Sequence, residues 1–113
     1  MREKINKPWG FELIWAKTPD YVAKLLVINA GQRLSKQYHE KKTETIFVME
    51  GTLLNYDEND NEQVLQQGET LHVVPGQVHR FCAPENRYVK IMEVSTNHLD
   101  DVVRISDDYG RGE

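Results

Sequence analysis

Gln37, His39, Glu44 and His79 are the residues whose types and spacing point most directly to chemistry. Gln37 and His39 stand two apart, so on a β-strand both side chains leave the same face. Glu44 opens the next apolar run, and His79 follows the Pro75-Gly76 turn much further on. Two imidazoles, one carboxylate and one amide oxygen make a complete ligand set for a divalent metal. Together the four carry one negative charge, which leaves a divalent ion net positive and Lewis acidic. Nitrogen and oxygen donors without sulfur suit Zn, Mn, Fe, Co or Ni.

Each of these residues also has a plainer reading. Between Arg33 and His39 the chain alternates, with Arg33, Ser35, Gln37 and His39 on one face and Leu34, Lys36 and Tyr38 on the other. In a barrel such a polar face lines a hydrated cavity. Taken alone, it suits a solvent-facing strand equally well. Glu44 shares a face with Ile46 and Val48, and a carboxylate on an apolar face needs a partner or a metal. His79 by itself reads as a hydrogen-bonded structural histidine; beside the other three it reads as a fourth ligand.

Short strands must position these groups. Turn signals recur at Gly10, Thr18-Pro19-Asp20, Asn29-Ala30-Gly31, Glu50-Gly51, Gln67-Gly68, Pro75-Gly76 and Pro84-Glu85-Asn86. Between them lie Phe11–Trp15, Tyr21–Ile28, Thr45–Met49, Thr52–Tyr56, Leu71–Val74 and Tyr88–Val94, all rich in β-branched and aromatic residues. The pattern predicts an all-β sandwich or barrel, and no apolar run has helical spacing. The polar stretch Asp57–Glu62 lies between two such runs and lacks the glycine of a calcium loop, so it reads as a hairpin tip.

With 113 residues, 39% hydrophobic and 28% charged, the chain suits one globular domain over residues 1–113. A net charge of −4 argues against sequence-independent nucleic-acid binding. The densest basic spot, Lys41-Lys42, reads as a solvated turn. The single cysteine, Cys82, sits in an apolar stretch and reads as a small buried hydrophobe in a reducing compartment. No run resembles a signal peptide or a membrane span, so a cytoplasmic location with no membrane partner is expected.

The spacing resembles that of the cupin superfamily. The first cupin motif appears as Gly31, five residues, Gln37-Tyr38-His39, four residues, Glu44, six residues and Gly51, with Gln37 where the motif has a histidine. The second appears as Gly68, five residues, Val74-Pro75-Gly76, two residues and His79, with Val74 and Ala83 departing at scaffold positions. Within cupins the chain is similar to type II phosphomannose isomerases. That likeness rests on Lys7-Pro8-Trp9-Gly10, on Gly31 to Ser35, on the Gln37 and His39 pair, and on the stretch from Asp101 to Arg111. It has Thr45-Ile46 where members of that group often have His-Trp after the glutamate.

The resemblance implies a cupin double-stranded β-helix, or jelly-roll barrel, with Gln37, His39, Glu44 and His79 as metal ligands and zinc as the first choice. It also implies an aldose–ketose isomerase acting on a hexose 6-phosphate, mannose 6-phosphate or fructose 6-phosphate. Such a reaction needs a proton-shuttling group and a cation for the phosphate. Glu93 is the candidate base, and Arg111 a candidate catalytic and phosphate-binding residue. Arg33 and Ser35 are candidate substrate-binding residues. His72 and His98 receive no role. In bifunctional relatives such a domain follows a nucleotidyltransferase domain; these residues hold none, so nucleotide transfer is not implied. A non-catalytic cupin binding a sugar or other small molecule, or another metal-cupin enzyme such as a dioxygenase, remains open. A homodimer formed by joined sheets is expected, with Leu34 and Tyr38 as its outer apolar residues.

Overall fold

Alternating residues build the barrel. In the computed structural model, which describes residues 3–110, Glu44, Ile46 and Val48 are buried while Thr45, Phe47 and Met49 are exposed. The same period of two runs through Val89, Ile91, Glu93 and Ser95. The described residues form eleven strands and no helix: β1 (Glu3–Lys7), β2 (Gly10–Lys17), β3 (Val22–Ile28), β4 (Lys36–Tyr38), β5 (Glu44–Glu50), β6 (Leu53–Tyr56), β7 (Glu62–Leu65), β8 (Thr70–Val73), β9 (Arg80–Cys82), β10 (Val89–Ser95) and β11 (Val103–Ser106). Among them no helix is long and apolar enough to cross a membrane.

One sheet has the order β1-β2-β3-β10-β5-β8, and a second has β7-β6-β9. A two-stranded ribbon of β11 and β4 joins the second sheet through the isolated bridges Gln37–His79 and Arg33–Cys82. All of these pairings are antiparallel. The six apolar runs read from the sequence are strands to within a residue or two at each end. The turn at Asp57 is the tip of the β6–β7 hairpin, where its Oδ1 accepts the backbone N–H of Asn59 and Asn61, each at 2.9 Å. Strands β1 and β7 escape the pattern because they lie at sheet edges, where backbone pairing alone suffices and most side chains are exposed, and β9 and β11 because they are too short to show an alternation.

The alternation read from Arg33 to His39 breaks down. Only Lys36–Tyr38 is a strand. Leu34 turns inward against the apolar core, so it is not an outer residue, and Tyr38 is half-buried. A backbone that bridges at Arg33 and again at Gln37, but not between, does not hold side chains to strict parity.

The interior has two halves. Leu26, Ile28, Ile46, Val48, Leu53, Val73, Phe81, Val89 and Ile91 fill one as a buried cluster. Full burial of each such side chain contributes about 1.5–3 kcal/mol. Continuing along the same inner faces, Lys24 on β3, Glu93 on β10 and Glu44 on β5 are also buried, so the barrel turns polar toward one end. Cys82 is buried, and burial pushes its thiol up to about 11, as suits a small core side chain.

Gly10 fixes the entry to β2. Its φ is +154°, and a Cβ there would lie 2.0 Å from the Val27 carbonyl oxygen. Asn29 N–H donates to the carbonyl of the preceding Trp9 at 2.9 Å, so the backbone has no room to yield. Gly10→Ala is expected to destabilise the protein by about 2 kcal/mol or more, read as a lower urea midpoint with unchanged slope.

Candidate metal centre

Backbone pairing brings the candidate ligands together. Gln37 N–H donates to the His79 carbonyl at 3.0 Å, and His79 N–H donates to the Gln37 carbonyl at 2.9 Å. Residues so paired share a face. Glu44 enters from the opposite sheet as the first residue of β5. His39 Nε2 lies 2.9 Å from Glu44 Oε1, and His79 Nε2 lies 3.5 Å from the same oxygen. All three side chains are at most 2% exposed. Their ligand atoms lie within 4.8 Å of one another.

The outer nitrogens decide what the inner ones offer. His39 Nδ1 is 2.5 Å from the Asp101 carbonyl, and His79 Nδ1 is 3.1 Å from the Gln77 carbonyl. A carbonyl only accepts, so each Nδ1 carries a proton and leaves Nε2 as the ring nitrogen that a metal would take. His79 Nε2 is buried and has no hydrogen-bond partner. Two ring nitrogens and a carboxylate oxygen thus converge where the described chain supplies no cation between them. This donor set fits a divalent metal of the zinc, manganese, iron, cobalt or nickel type.

The electrostatics agree with that use. Burial alone would raise the Glu44 carboxyl. The hydrogen bond from His39 and the charge of Lys42 outweigh it and bring the group to about 2. Burial lowers His79 to about 4, so near neutrality it is the uncharged imidazole that a metal requires. Because this base is depressed relative to the unfolded chain, its contribution to stability is full above about pH 6.5 and is lost as pH falls toward 4. Metal-free protein is expected to lose on the order of 2 kcal/mol by pH 4.5 through this group. Urea titrations at several pH values should show a shallower dependence in His79→Gln than in wild type; equal slopes would exclude it.

Gln37 lines the same cavity as His39, Glu44 and Glu93, and its Oε1 accepts a 2.6 Å hydrogen bond from Ser35 Oγ. A carbonyl oxygen has two lone pairs, so one remains for a metal. The cavity has a volume of about 110 Å³. That is below the few hundred cubic ångströms of an enclosed sugar-sized site, so a larger ligand must project through its opening. Glu93 is buried in its wall, 3.0 Å from Lys42 Nζ, and burial followed by the Glu44 charge pushes its carboxyl up.

Several expectations are corrected. Lys42 is not part of a solvated turn: its side chain is only 7% exposed and pairs with Glu93, while Lys41 stays outside. Arg33 leaves the cavity altogether. It is exposed, holds Asp108 at 2.6 and 3.0 Å, and borders an outer hollow with Tyr56 and Cys82. Ser35 is buried against Gln37 and does not line the cavity. Arg111 lies outside the described residues. His72 and His98 are exposed.

The sequence reading missed Asp101. Its carbonyl orients His39, and its carboxylate accepts the backbone N–H groups of Glu40, Lys41 and Lys42 at 3.0, 2.7 and 2.9 Å. Those bonds, Glu40's first, hold its carboxyl at about 2. No local signal marks it, because its partners lie on a distant turn. Lys24 pairs with Glu12 at 3.4 Å, and that buried pair was missed for the same reason.

The sequence profile of the mannose-6-phosphate isomerase C-terminal family matches residues 1–107. The chain belongs to this family. It is 31% identical over 115 residues to the mannose-1-phosphate guanylyltransferase ManC of Salmonella typhimurium, covering 98% of this chain and 24% of that protein. It is 27% identical over 111 residues to the alginate biosynthesis protein AlgA of Pseudomonas aeruginosa, covering 96% of this chain and 23% of that one. The chain thus spans about a quarter of the length of these curated relatives. Among solved structures it superposes on KdgF from Halomonas sp. with a TM-score of 0.77 at 19% identity, covering 87% of this chain and 88% of that one. A cupin sugar phosphate isomerase from Silicibacter pomeroyi gives 0.67 at 18% identity, over 76% and 59% of the two chains. The fold of this mannose-6-phosphate isomerase C-terminal domain is therefore the cupin double-stranded β-helix.

Proposed function

We propose that this cupin domain is a metal-dependent aldose–ketose isomerase acting on a hexose 6-phosphate, with mannose 6-phosphate and fructose 6-phosphate as the interconverting pair. The observation that carries this reading is the convergence of two imidazole nitrogens on the Glu44 carboxylate, where Glu44 lines the same cavity as a buried carboxyl, Glu93. Family membership supports the substrate class. His39, Glu44 and His79, with Gln37 as fourth ligand, would hold a divalent ion, zinc first. Such an ion would polarise the carbonyl and the neighbouring hydroxyl of the sugar. Glu93 then moves the proton between C1 and C2, taking it from one carbon and returning it to the other. Lys42 holds the Glu93 carboxyl in place. Arg111, by its match to the family's terminal motif, remains a candidate for contact with the substrate.

The small cavity favours a second reading, a sugar-binding cupin that performs no turnover. A coupled assay with each hexose phosphate, run with Zn, Mn, Co or Ni supplied, separates the two. Interconversion supports the isomerase; its absence with every metal overturns it.

In the same reading the protein is a homodimer. Its contact is the outer face of the six-stranded sheet, where Trp15, Phe47, Met49 and Val94 are exposed and Trp15 Nε1 lies against Met92 Sδ. Light scattering is expected to give twice 13.2 kDa, and Phe47→Asp is expected to give the single chain.

A further inference from the structure

We propose that Arg104 and Lys7 form an anion subsite in the wall of this cavity, built for a phosphate monoester. Arg104 lies on β11 directly across from Gln37 on β4, so the two share the face that lines the cavity. Lys7, the last residue of β1, lines it from the other sheet.

The other charges of this cavity are matched by neighbours. Glu12 has Lys24, Glu93 has Lys42, Glu44 has the two imidazoles, and Asp101 has three backbone N–H groups. Among the described residues neither Lys7 nor Arg104 takes part in an ion pair. The contrast with the other described arginines is plain. Arg33 and Arg80 both hold Asp108, and Arg87 holds Glu50. Arg104 Nε is buried without any hydrogen-bond partner.

A buried guanidinium N–H without an acceptor is costly, and folded proteins rarely leave one unmatched. A ligand is the natural acceptor here, because the group faces a cavity rather than a neighbouring side chain. The planar fork of Arg104 suits two phosphate oxygens, and the ammonium of Lys7 supplies a second positive charge. Four cations and four carboxylates line the cavity, so a divalent metal held on Glu44 would leave it net positive, and the two cations without an ion-pair partner are the ones free to take a phosphate dianion. This assignment deepens the isomerase reading and rests on it only for the sugar that carries the phosphate.

The test is a set of binding titrations on the full, metal-loaded chain. Trp9 is buried in the cavity wall, so its fluorescence reports occupancy once the exposed Trp15 is replaced by Phe. Mannose 6-phosphate is expected to bind at least about tenfold more weakly to Arg104→Gln and several-fold more weakly to Lys7→Gln. Binding of unphosphorylated mannose and metal affinity are expected to stay unchanged. Arg104→Lys, which keeps the charge, is expected to recover part of the loss and serves if the glutamine variant does not fold. Equal affinity of wild type and the charge-removing variants for mannose 6-phosphate would overturn the subsite, as would phosphate contacting the metal alone. Loss of phosphate-dependent binding without any turnover in wild type would uphold the subsite and sink the isomerase.

Discussion

Glu44→Gln is expected to abolish tight metal binding while leaving the protein folded. Glu44 Oε1 is the oxygen that both His39 Nε2 and His79 Nε2 face. Glutamine keeps the shape and an oxygen but removes the only formal negative charge of the ligand set. Substitutions of outer partners of metal ligands typically cost 10–100-fold in affinity, so loss of the charged ligand itself should cost about a thousandfold. Competition with a chromophoric chelator measures this directly. A second readout is thermal. A metal present at a hundred times its dissociation constant stabilises the native state by about 2.7 kcal/mol, and that increment should vanish in the variant. Unchanged stoichiometry and affinity would place the metal elsewhere. If wild type takes up no divalent metal at all, the centre is a structural histidine–carboxylate cluster.

Glu93→Gln is expected to lower kcat for the hexose phosphates by about 10²–10⁴, the range of a lost general base, with KM and metal affinity little changed. The single change also strands Lys42, whose side chain is 7% exposed. Breaking a buried pair from one side typically costs about 3–5 kcal/mol, whereas neutralising both partners is often nearly neutral. Lys42→Met combined with Glu93→Gln therefore separates the roles. The double variant should regain stability and stay inactive. If it regains activity as well, Glu93 is structural and the proton-moving group lies elsewhere.

Much of the strand content was legible. Runs such as Tyr88–Val94 alternate cleanly, because one face meets an apolar core and the other meets water. The edge strands β1 and β7 were not, since a strand held by its neighbour's backbone needs no hydrophobic signature. The site divides in the same way. His39, Glu44 and His79 could be paired from sequence because turn lengths and strand parity set which residues meet across a barrel.

Parity does not say where a long charged side chain finds its partner. Lys41 and Lys42 are neighbours of one type, yet one is exposed and the other pairs with Glu93 inside the barrel. Arg33 and Arg104 show the reverse: the arginine on the apparent ligand stripe turns outward to Asp108, and the one in the terminal segment faces the cavity. Asp101 reaches the centre only because the chain returns across the barrel to the turn at Glu40. Local alternation and spacing were enough for the six apolar strands, the turns between them and the three donors. The tertiary structure alone decided which charges enter the barrel and how they are matched, because burial makes an unpartnered charge costly and its partner comes from another strand.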